Sequence, residues 1–105
     1  MRKITQRIAK AFHSHSKLSI SNTMTDGESV WLHGNKIIKR ENNEIYFSLA
    51  GWNTLTTRER INGIVGSKVV YRIKGEAFIN NEWGDVCIGS KDWVCVTFSG
   101  CYVRC

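Results

Sequence analysis

The chain predicts an α+β fold: an N-terminal amphipathic helix, a twisted antiparallel meander and a short inserted helix near residues 57–64. Three observations carry this. Apolar residues recur at helical spacing over the first dozen positions, and the period then drops to two. Glycine and asparagine turn signals break the rest into short strands. A hydrophobic content of 42%, with four Trp, four Phe and three Tyr, supplies one core, so residues 1–105 read as a single domain.

The first element rests on Ile4, Ile8, Ala11 and Phe12, which fall at i, i+4, i+7 and i+8 and form one face of a helix over about residues 2–13. Arg2, Lys3, Arg7 and Lys10 occupy mainly the other face and form a basic surface. Beyond it, segments near 18–24, 29–33, 36–40 and 45–50 read as strands. Asp26–Gly27, Gly34–Asn35 and Asn42–Asn43 separate them, residue types that tolerate the positive φ of tight hairpins. Val30 and Leu32 share one side, as do Ile45, Phe47 and Leu49.

Gly51 and Trp52 then end the strand. Thr56 followed by Glu59 has the spacing of a capping box. Ile61, Ile64 and Val65 supply an inward face, and Gly63 or Gly66 a left-handed C-terminal cap. Lys68–Lys74, Ala77–Asn80, Val86–Ile88 and Trp93–Phe98 are expected to be further strands, with Asn80–Asn81 and Gly84–Asp85 as turns. Residues from about 99 to 105 read as a flexible tail.

Charge and cysteines bound the function. The net charge of +6 concentrates before residue 20 and between Arg58 and Lys74, which suits an acidic partner, either nucleic acid or an acidic protein surface. No apolar run approaches the roughly 20 residues of a membrane span. The basic start lacks the apolar core of an export signal, so a cytosolic protein without a membrane role is expected. Cys87, Cys95, Cys101 and Cys105 contain no CxxC pair, and they read as reduced thiols rather than a zinc site.

Chemistry-bearing constellations are sparse. His13 and His15 read as solvated polar residues rather than metal ligands. No phosphate-binding loop, dinucleotide fingerprint or paired-carboxylate arrangement is present, so neither an enzyme nor a cofactor is expected. The start of the inserted helix is the best candidate site, because free amides and the positive dipole end favour an anion. There Thr56, Thr57, Arg58 and Arg60 would surround a phosphate or carboxylate. Trp52 either fills the core, the reading favoured here, or stacks on a base or fills a partner's pocket.

The runs "LHGNKI" (Leu32 to Ile37) and "SLAGWNTLTTRERINGI" (Ser48 to Ile64) resemble a group of small uncharacterised proteins of tailed bacteriophages. The resemblance runs from the N-terminal helix to about Val65, is loose at "AFINNEW", and departs from the pattern from about Val86. It implies a phage accessory protein acting in the host bacterial cytoplasm. Such a protein is expected to be non-enzymatic and to bind a host protein, as an inhibitor or anti-defence factor. The alternative is a small basic nucleic-acid-binding module.

Overall fold

The computed structural model describes residues 2–103. Among these residues the α+β expectation holds: helices α1 (Lys3–His13) and α2 (Leu55–Val65) accompany ten strands. The first five strands are β1 (Leu18–Ile20), β2 (Thr23–Thr25), β3 (Ser29–Leu32), β4 (Asn35–Glu41) and β5 (Glu44–Phe47). After α2 come β6 (Val70–Ile73), β7 (Glu76–Asn81), β8 (Gly84–Ile88), β9 (Val94–Thr97) and β10 (Gly100–Val103).

Not one sheet but two form. Strands β1 to β5 run as the expected meander, and β9 and β10 then extend it in the order β1-β2-β3-β4-β5-β9-β10. Strands β6, β7 and β8 make a separate three-stranded antiparallel sheet. Both contribute to one apolar cluster, in which Ile8 and Phe12 of α1 meet Phe47, Val94, Ile61 and Ile64 together with Val70 and Ile79 of the small sheet. Each such side chain contributes roughly 1.5–3 kcal/mol by leaving water.

The turn chemistry explains the meander. Asn42 and Asn43 take φ of 53° and 65° between β4 and β5, the left-handed pair a two-residue hairpin needs. Between β3 and β4 the left-handed pair is His33–Gly34, one residue earlier than expected. The segment expected as one strand over 18–24 is a hairpin, because Ser21 adopts φ 54° and turns β1 back on β2. Asn80, Asn81, Gly84 and Asp85 lie inside β7 and β8, and Glu82–Trp83 makes the turn between them.

The expected flexible tail is instead β10 as far as Val103. Cys101 is 4% exposed and pairs in register with Val96. Gly100 lies so close to β7 that an added Cβ would sit 2.6 Å from Asn81 Cα. Arg104 and Cys105 lie outside the described residues.

Candidate functional site

The corner between β5 and α2 is built by a left-handed pair, Ala50 at φ 54° and Gly51 at φ 90°. Hydrogen bonds lock it: Ala50 N–H to the Ser48 side-chain Oγ at 3.0 Å, Gly51 N–H to the Ser90 carbonyl at 2.8 Å, and Trp52 N–H to the Leu49 carbonyl at 2.9 Å. This reversal buries Leu49 completely and sends Trp52 outward at 59% exposure, with Leu55 at 69%. The favoured core assignment of Trp52 is thereby overturned.

Helix α2 starts two residues earlier than expected, because Thr54 and not Thr56 is its cap. The Thr54 hydroxyl accepts the Thr57 N–H at 3.2 Å, and Gly66 closes the other end at φ 97°. Glu59 therefore plays no part in a capping box. Its carboxylate receives the Thr5 hydroxyl at 2.7 Å and the Arg60 guanidinium at 2.6 Å.

These placements divide the expected anion-binding set. Trp52, Thr56 and Thr57 line a cavity of about 480 Å³, whose floor is Leu32, Ile37 and Leu49. Arg58 is not part of that lining; it donates to Asn53 Oδ1, and through Asn53 is tied to the Gly75 carbonyl. Burial, with Arg72 nearby adding repulsion, holds the Arg58 guanidinium below its ordinary pKa. No ion pair among the described residues includes Arg58 or Arg72.

Arg60 does not belong to this site. Only 2% exposed, it donates to Thr23 Oγ1 at 3.0 Å and to Thr5 Oγ1 at 2.9 Å, joining α1, β2 and α2. Its expected contact role is replaced by an internal one.

Arg2, Lys3, Arg7 and Lys10 are exposed, and the first turn of α1 holds no acid to complement the helix dipole. His13 Nε2 lies 2.7 Å from the Ile64 carbonyl and His15 Nδ1 lies 2.9 Å from Glu28 Oε1, so each ring has its own partner. Among the described residues no three His, Cys, Asp or Glu side chains come together. Burial pushes the Cys101 thiol up, away from the thiolate form.

One group of surface residues escaped the sequence reading. Lys39 Nζ lies 4.4 Å from the Trp93 ring centre and 5.8 Å from that of Tyr46, and Lys36 Nζ lies 5.4 Å from Trp31. The signal was available: the alternation that turns Ile45 and Phe47 inward turns Tyr46 outward.

No helix among the described residues is long and apolar enough to cross a membrane. No curated protein and no solved structure matches the chain. A family model does match, over residues 1–101, well past Val65 and through the segment after Val86 where the resemblance was expected to fade. The chain thus belongs to the Kyanoviridae Gp96 protein family, a bacteriophage family.

Proposed function

We propose that this phage protein is a non-enzymatic accessory factor that docks on a host protein through the corner at the start of α2. The observation that carries this reading is the exposure of Trp52 and Leu55, 59% and 69%, beside an apolar cavity of about 480 Å³. Exposing two large apolar side chains next to a concave apolar surface gives folding nothing. Binding residues of this kind, Trp and Arg above all, dominate the energetics of protein interfaces. Arg58, with no carboxylate partner among the described residues, adds a charge that an acidic rim on the partner would complement.

Affinity capture from host lysate tests the reading. The wild-type chain should retain one stoichiometric protein, and Trp52→Ala should lose it while remaining folded. Equal capture by the Trp52→Ala, Leu55→Ala and Arg58→Ala variants would move the interface elsewhere.

A further inference from the structure

The face of the large sheet opposite the core carries a second pattern. Cross-strand register places Lys39, Tyr46, Cys95 and Tyr102 in one row over β4, β5, β9 and β10. A neighbouring row holds Met24, Trp31 and Lys36 over β2, β3 and β4. Val30, Ile38, Phe47 and Val94, which alternate with these positions, are fully buried, so both rows point away from the core. Trp93 joins them through Lys39, and Trp83 meets Tyr102 edge-on with ring centres 6.0 Å apart. An outward sheet face is ordinarily polar; this one is aromatic and interleaved with lysine.

We propose that this sheet face binds single-stranded nucleic acid, with Trp31, Tyr46, Trp93 and Tyr102 stacking bases and Lys36 and Lys39 contacting phosphates. Every base offers a π-face, so a row of aromatic rings takes a single strand without reading its sequence. The row from β4 to β10 crosses three inter-strand gaps, roughly 14 Å at about 4.8 Å per strand, which gives room for a few splayed bases. Lysine is depleted at the centres of protein–protein interfaces, so cations set among the rings favour phosphate over a second protein. The net charge of +6 adds long-range attraction.

Two acids fix the direction. Glu41 and Glu44 pair across the β4–β5 tip, and Glu41 lies 3.2 Å from Lys39 Nζ. The phosphate backbone should therefore run on the Lys36 side, away from that tip. This proposal stands on a different surface from the α2 corner and does not depend on it.

Titrating the full chain with an eight-nucleotide oligothymidylate, followed by tryptophan emission, tests the assignment. We expect saturable quenching at 50 mM salt. Log affinity should fall with log salt at a slope near −1.4, the value for about two phosphate contacts at about 0.7 each on a single strand. Lys36→Ala should lower that slope by about 0.7. Trp93→Leu should weaken binding about tenfold or more, and Glu41→Gln should tighten it. Tyr46→Leu provides the same test if Trp93→Leu unfolds. The proposal is overturned if neither oligothymidylate nor oligouridylate binds at 50 mM salt, or if both aromatic variants bind at wild-type affinity. Competition by polyglutamate as effective as by oligonucleotide would also overturn it, marking a surface for acidic protein.

Discussion

The Glu59 carboxylate holds the Arg60 guanidinium at 2.6 Å, and of the arginine only 2% remains exposed. A charge taken that far out of water needs hydrogen-bond partners, and Thr5 and Thr23 supply two more. Arg60→Ala leaves the half-buried carboxylate and two buried hydroxyls short of partners. We expect a loss of about 3 kcal/mol, measured as the urea midpoint at constant slope. Replacing both members, Arg60→Met with Glu59→Gln, should recover part of it. A loss below about 1 kcal/mol for Arg60→Ala would show that water replaces the network.

This network also shows where the sequence was legible. Thr57, Arg60, Ile61 and Ile64 are the buried positions of α2, at i, i+3, i+4 and i+7. Periodicity alone therefore assigns Arg60 inward; its charge argued the other way, and only Thr5 and Thr23, brought in by folding, resolve the conflict. Local signals identified both helices and the β3–β4–β5 hairpins, since turn chemistry and spacing act over a few residues. The pairing of Tyr46 with Cys95 reaches across α2 and the whole small sheet, and the split into two sheets depends on it. Trp52 went wrong for a similar reason. Its exposure follows from the left-handed pair Ala50–Gly51, and alanine in that conformation carries no sequence signal.

Capping gives the second prediction. Thr54→Ala removes the acceptor for the Thr57 N–H and should cost about 1 kcal/mol. Thr56→Ala, inside the first turn and only half-buried, should change stability by less than half that, since alanine is the better helix former. Paired denaturation curves decide between them. The reverse ranking would restore the Thr56–Glu59 capping box.

Acid sensitivity gives a third. Asp26 accepts the backbone N–H groups of Glu28 at 2.9 Å and Ser29 at 2.8 Å, and these two bonds hold its carboxyl below the usual carboxylate range. A pKa depressed on folding adds stability that is present above the unfolded value, about 3.9, and is lost as pH falls through the folded one. The β2–β3 turn should thus weaken below about pH 4. Asp26→Asn, which keeps an acceptor oxygen but does not titrate, should flatten that part of the acid limb. Urea midpoints at pH 6 and pH 3 test it, and an unchanged acid limb in the variant would assign the sensitivity to other carboxylates.

The last prediction concerns the C-terminal strand. Truncation after Phe98 removes β10, and with it the buried Cys101 and the bond from Asn81 Nδ2 to the Cys101 carbonyl at 3.3 Å. It also bares the edge of β9, where Val94 and Val96 line the core side, and an unpaired apolar edge invites pairing between molecules. The lost burial and ladder should exceed about 2 kcal/mol, enough to lower the melting temperature by roughly 10 °C in a chain of this size. Gly100→Ala offers a gentler version. Gly100 sits at φ 132°, a conformation open to glycine alone, and the added methyl would press on the Asn81 backbone. Both changes should separate β10 from β7 and increase aggregation on heating, followed by scattering. A truncated chain that melts at the wild-type temperature and scatters no more than wild type would show that β10 covers the sheet edge without stabilising it.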